Sequence, residues 1–185
     1  GPRKGDPKPE GSLRDYGQEY IFKAPLSYDV IPEALEEFSE KTKKHEFIQD
    51  SISTSVHMHK NILNESFKTV ANYCTLYTLT ENILMEFAGE FRKHNLFCLP
   101  ICDTPSTQEN ITAMFQGANK RDFSVSWNLS QETVKYAALN LGSIGTYGSL
   151  EVRSLSGRPD IKRIKNWIDI HESLWRSCTS RSAGR

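Results

Sequence analysis

The chain has 185 residues, enough for one ordinary domain with its own core, and 23 Lys and Arg balance 23 Asp and Glu to a formal net charge of zero. That balance argues against non-specific capture of nucleic acid or of an anionic membrane as the main activity. No apolar run approaches the roughly 20 residues that span a bilayer, and no secretory leader opens the sequence. Cys74, Cys98, Cys102 and Cys178 form no paired metal-site spacing, so reduced thiols and a cytoplasmic location are expected.

In chain order, residues 1–13 are rich in Gly, Pro and charge and read as a tail. Residues 16–23 (YGQEYIFK) alternate like a strand. Pro32 suits the first turn of a helix over 31–44, with Ile31, Leu35 and Phe38 on one stripe. Residues 52–60 alternate most cleanly: Ile52, Thr54, Val56 and Met58 face one way, and Ser53, Ser55, His57 and His59 the other. A long helix is predicted over 66–93 and a shorter one near 108–116. Strands over 134–141 and 147–155 flank GSIGTYG, which suits a hairpin. Asp160 is a good N-cap for a helix through about Arg176, and residues 177–185 read as a second tail. The order predicts an α+β fold, an antiparallel sheet with helices packed on one face, in a single domain over 14–176.

The candidate chemistry lies on the other face of that sheet. If helices cover Val56, Met58, Leu150 and Val152, then His57, His59, Glu151 and Arg153 are presented together on the opposite side. A solvated polar face is the plain alternative. Two imidazoles two apart on one strand, with a carboxylate and a guanidinium two apart on another, are a more pointed set than dispersed Lys, Glu, Thr and Ser. Activating a carboxylate as an acyl phosphate calls for such groups: oxygen ligands for Mg²⁺, such as Glu19 and Glu151, and a planar fork such as Arg153 for phosphate.

Four stretches carry a family resemblance: EGSLRDYGQEYIFKAPLS (10–27), TSVHMHKNI (54–62), FRKHNLFCLP (91–100) and KYAALNLGSIGTYGSLEVRSLSGRPD (135–160). With the helix carrying NWIDIHESLW (166–175), they resemble in order the amidoligase family, the carboxylate–amine ligases related to glutamine synthetase and glutamate–cysteine ligase, particularly those encoded by bacteriophages. The resemblance implies a glutamine-synthetase-like catalytic domain that uses ATP and Mg²⁺ to couple an amino-acid or peptide carboxylate to an amine. It implies metal ligation by Glu19 in G-x-E, by His57 in H-x-H and by Glu151 in E-x-R. Arg153 would contact the transferred phosphate, His59 would stand beside His57 as a second catalytic group, and Arg92, Asn95 and Asn140 would contact nucleotide or substrate.

The family's opening G-x-E-x-E strand has no counterpart here, because Gly17-Gln18-Glu19-Tyr20-Ile21 offers no second carboxylate and matches the later G-x-E strand. The resemblance therefore implies that a partner chain or further segment supplies an acidic strand, or that the site is degenerate. A non-catalytic binding or virion structural protein that keeps the fold is the alternative; its location would be the virion rather than a host cytoplasm. A zinc hydrolase using His57, His59 and a carboxylate is a third. His45, His94 and His171 are expected at the surface or at helix ends. Lys41, Lys43 and Lys44 read as a solvated helix end, and Trp167 and Trp175 as core. Cys98 and Cys102 flank a Pro-containing loop and could approach each other, but no functional disulfide or nucleophile is expected of them, and Trp127 sits beside a polar loop.

Overall fold

A computed structural model describes residues 8–9, 18–43, 51–120 and 136–180. His45, Lys44 and Trp127, and the outer residues of the strands expected over 16–23 and 134–141, lie outside these.

Strands β1 (Lys8–Pro9) and β2 (Gln18–Glu19) pair antiparallel, Lys8 with Glu19. Of the strand expected over 16–23, the described residues 20–23 are not strand and β2 lies outside the main sheet. Tyr20, Ile21 and Phe22 are exposed beyond it, and Tyr20 leans edge-on to Phe38 with ring centroids 5.8 Å apart. The tail expected over 1–13 likewise contributes a strand. Phe38 belongs to α1 (Ile31–Thr42), whose Pro32 sits in the first turn as expected and which buries Leu35.

Strand β3 (Ser55–Asn61) leads to α2 (Phe67–Ala88). Ser66 caps α2, its hydroxyl accepting the Thr69 N–H at 3.1 Å. The helix expected to run to residue 93 stops at Gly89, whose φ of +113° lies where other residues are strained. A Cβ there would also come within 3.3 Å of Ser156 Oγ. A 3₁₀ turn (Glu90–Arg92) follows. Helix α3 (Pro105–Lys120) overruns its expected ends on both sides.

The expected hairpin forms from β4 (Leu139–Asn140) and β5 (Ser149–Ser156), but its connection is the short helix α4 (Ser143–Tyr147) rather than an open loop. Gly148, at φ +63°, ends that helix. Asp160 accepts the Arg163 N–H at 3.0 Å, capping α5 (Ile161–Ser180) as expected. Helix α5 runs past Arg176, so Cys178, expected in a tail, is buried in the core.

The main sheet has the order β3-β5-β4, antiparallel throughout. Helix α2 packs on β5, α5 on α2, and α1 on α5, giving a mixed fold of helices with a small antiparallel sheet. Leu139, Leu150, Val152 and Leu155 are buried on the helix side, with Val56 and Met58 packed against them. Lys60, on the same side of β3, reaches α5: its Nζ lies 2.9 Å from Glu172 Oε2 and 5.1 Å from the Trp175 ring centre. Trp167 and Trp175 are core residues, as expected.

His171 corrects its expected surface placement. It is buried between Tyr73 and Trp167, with Nδ1 2.8 Å from the Tyr73 hydroxyl. Burial holds it neutral, with its pKa down at about 3. All four cysteines are free; Cys98 is buried while Cys102 is exposed. Among the described residues, no helix is long and apolar enough to cross a membrane.

Candidate functional site

Strand register builds the site. His59 stands directly opposite Glu151, and Glu151 directly opposite Asn140, so one row crosses all three strands. Nearer the start of β3 the pairing shifts: Val56 faces Leu155 while Met58 faces Val152. Between these pairs β5 supplies Arg153 and Ser154 against His57 alone, which is a β-bulge.

The bulge aims His57 diagonally at Glu151, with His57 Nδ1 3.1 Å from Glu151 Oε1 and His59 Nε2 3.8 Å from the same oxygen. The other carboxylate oxygen, Oε2, accepts the Asn140 side-chain amide at 2.6 Å and the Ser143 hydroxyl at 3.1 Å. Ser143 is the first residue of α4, which covers this part of the sheet face. Glu151 is consequently only 7% exposed on the face expected to be solvated.

Burial pushes the Glu151 carboxyl up, but the hydrogen bond and charge of His57, the charge of Arg153 and the Asn140 amide outweigh it. The result is a carboxyl at about 2, ionised at neutral pH. Burial lowers the His59 pKa, Glu151 opposes that shift, His57 and Arg153 add to it, and the charge of Glu19 also reaches the ring. On its other side His59 Nδ1 lies 3.0 Å from Ser149 Oγ, and the exposed Tyr147 ring stands edge-on at 5.8 Å. His57 Nε2 lies 2.7 Å from Ser55 Oγ.

The structure therefore brings His57, His59 and Glu151 together. Arg153 lies two positions along the same face, its guanidinium 5.9 Å from the Tyr136 ring centre. Glu19 is near enough for its charge to act on His59 but sits on the separate β1–β2 pair.

The expected nucleotide contacts are placed differently. Arg92 is completely buried, donating from Nε to Ser154 O at 3.2 Å, from Nη2 to Arg153 O at 2.9 Å, and from Nη1 to Ile52 O and Thr54 O. Asn95 donates to Ile52 O and Phe91 O and accepts the Phe97 N–H. Both side chains tie down the backbone leading into β3 instead of facing the cluster. Asn140 is in the cluster, but it holds Glu151.

Ser55, Ser143 and Ser149 complete the site and were not singled out from the sequence. Ser55 and Ser149 are legible as members of the polar faces of their strands, beside His57 and Glu151; Ser143 becomes a neighbour of the cluster only through α4.

Comparison with known proteins returns no matching family model, no matching curated protein and no matching solved structure. The site must speak for itself.

It does not fit the implied Mg²⁺ centre with the described residues alone. Mg²⁺ takes several oxygen ligands in octahedral array, whereas this cluster offers one carboxylate with both oxygens already engaged. Among the described residues, no group of three or more His, Cys, Asp or Glu is arranged to hold a metal ion. Two surface grooves, one along α3 between Gln108 and Gln116 and one between Tyr28 and Asp169, lie away from the cluster.

Proposed function

We propose that the outer face of the β3-β5-β4 sheet is part of a carboxylate–amine ligase site of the amidoligase type. ATP would be the activating nucleotide, with an amino-acid or peptide carboxylate and an amine as substrates. The observation that supports this reading is the convergence of His57 and His59 on an ionised Glu151, with Arg153 next along the same face. Arg153 would present its fork to the phosphate or carboxylate. Glu151 would hold the two imidazoles in place as a buried anion, and His59 would offer a neutral imidazole to the incoming amine.

Since the described residues do not compose a Mg²⁺ centre, further acidic ligands would come from a partner chain or another segment. The setting would be the cytoplasm, that of a host cell if the protein is phage-encoded.

The reading is tested by thermal melts with ATP and Mg²⁺, followed by assay of ADP release with candidate amines. Ligand at a hundredfold above Kd stabilises by about 2.7 kcal/mol. The expected result is a rise in Tm that Arg153→Ala abolishes while keeping its own ligand-free melt. No rise and no ADP would leave the second reading, a non-catalytic binding or virion structural protein. The observation favouring that alternative is that the cluster satisfies its own hydrogen bonds and that both grooves lie elsewhere.

A further inference from the structure

Ser55, His57 and Glu151 form a continuous chain of contacts. Ser55 Oγ is 2.7 Å from His57 Nε2, and His57 Nδ1 is 3.1 Å from Glu151 Oε1. Donor and acceptor roles along it follow from charge. An ionised Glu151 can only accept, so His57 Nδ1 carries a proton, and in the neutral imidazole Nε2 is then left as an acceptor for the Ser55 hydroxyl. This is the order nucleophile, base, orienting carboxylate that activates a hydroxyl for attack on an acyl carbon.

Two features separate the chain of contacts from a chance surface hydrogen bond. The carboxylate end is buried and fixed by Asn140 and Ser143 on its far oxygen, so the imidazole is held in one orientation. The hydroxyl end is open: Ser55 is only partly buried, and the His57 side chain is 32% exposed. A surface hydrogen bond between Ser and His needs no such support.

We propose that Ser55, His57 and Glu151 form an acyl-transfer site that takes activated acyl groups, esters or thioesters, presented at an open surface. Ser55 Oγ attacks the acyl carbon while its proton passes to His57 Nε2. The bond from the acyl carbon to the leaving oxygen or sulfur breaks, and the leaving group takes that proton. Water or an amine then attacks the acyl-serine, gives its proton to His57, and the proton returns to Ser55 Oγ as the acyl group departs. No electrons are exchanged and no nucleotide is consumed. Arg153 lies opposite His57 in the bulge and its charge acts on Glu151 and His59, so it would be the group to stabilise the developing oxyanion. Glu151 touches no reacting atom; it is a positioning residue.

This inference stands apart from the ATP-dependent reading, because it requires neither ATP nor a metal. The test is covalent labelling of the full chain with a fluorophosphonate in EDTA, read by peptide mass mapping. The Oγ–P bond forms, the P–F bond breaks, fluoride leaves and His57 takes the proton. The expected result is one adduct, on Ser55, formed about a hundredfold more slowly or worse in His57→Ala and at the wild-type rate in Ser53→Ala. Absence of an adduct on Ser55 in the wild-type chain overturns the proposal without recourse to any variant, and so does wild-type labelling in folded His57→Ala. ADP release reports on the ligase reading and labelling on Ser55, so each can fail without the other.

Discussion

Asn140 and Glu151 face each other across β4 and β5, and the Asn140 amide donates to Glu151 Oε2 at 2.6 Å. With Ser143 on the same oxygen, two donors occupy the far side of the carboxylate and leave Oε1 to the histidines. The strand pairing that builds the sheet thereby also fixes the orientation of the one buried anion on its outer face.

Replacing Asn140 with Leu keeps the volume but removes that donor. A hydrogen bond to a charged group contributes roughly 1.5–3 kcal/mol, so urea denaturation of Asn140→Leu at neutral pH should show a loss of that size. In Asn140→Leu/Glu151→Gln the combined loss should fall short of the sum of the two single losses, because Glu151→Gln removes the charge that strengthens the bond Asn140→Leu deletes. Strict additivity would mean that the amide does not support the carboxylate.

The Glu151 carboxyl, at about 2 in the folded chain against an ordinary 4.5, makes stability depend on pH. Its contribution is fully present above the unfolded value and is lost as pH falls through the folded one. The stability difference between wild type and Glu151→Gln should therefore shrink as pH drops from about 5 toward 2, by up to about 3 kcal/mol. The comparison with Glu151→Gln is necessary because the buried His171, with its pKa lowered to about 3, also loses stability on acidification. A difference that stayed constant with pH would refute the assignment.

The parts legible in the sequence were those written in local periodicity. Alternation through Val56, His57, Met58 and His59 gave both faces of β3, and Asp160 marked the start of α5. What the sequence did not show depended on long-range geometry. Residues 16–23 alternate like a strand, yet among the described residues of that stretch only Gln18 and Glu19 pair. Apolar spacing carried the predicted α2 past Gly89, whose backbone ends it. The Gly-rich GSIGTYG read as an open turn and folds as a short helix that supplies Ser143. The bulge that swings His57 onto Glu151 leaves no local trace, because it is a mismatch of register between two distant strands.

Arg92 shows the same limit in energetic form. Nothing local says that its guanidinium is buried, since its acceptors are carbonyls of Ile52, Thr54, Arg153 and Ser154. Arg92→Met would leave these acceptors without their donor in a buried setting, where each orphaned group costs about 1–3 kcal/mol. Loss of several kcal/mol, or failure to fold, is expected by urea titration. Arg92→Lys should recover only part of it, because an ammonium cannot reproduce the planar fork. Wild-type stability in Arg92→Met would show that the carbonyls find other donors.

Glu81 gives a pH dependence of opposite sign. It is 6% exposed on α2; its Oε2 accepts the Ile101 N–H at 2.8 Å, while the buried Oε1 has no hydrogen-bond partner among the described residues. Burial pushes its carboxyl up to about 7, against the pull of the Ile101 hydrogen bond and with a smaller push from Asp103. A raised carboxyl binds its proton more tightly in the folded than in the unfolded chain. Between the unfolded value of 4.5 and about 7 the folded state therefore holds more protons, and this contribution to stability falls as pH rises through that window. Glu81→Gln keeps an acceptor for Ile101 and cannot ionise. The variant should match wild type near pH 4 and exceed it by about 1–3 kcal/mol at pH 8. His171 acts in the opposite sense between its folded and ordinary values, but it is common to both chains and cancels in the difference. A variant weaker than wild type at pH 8 would mean that the Glu81 anion has a stabilising partner and that its burial is not the dominant influence on its charge.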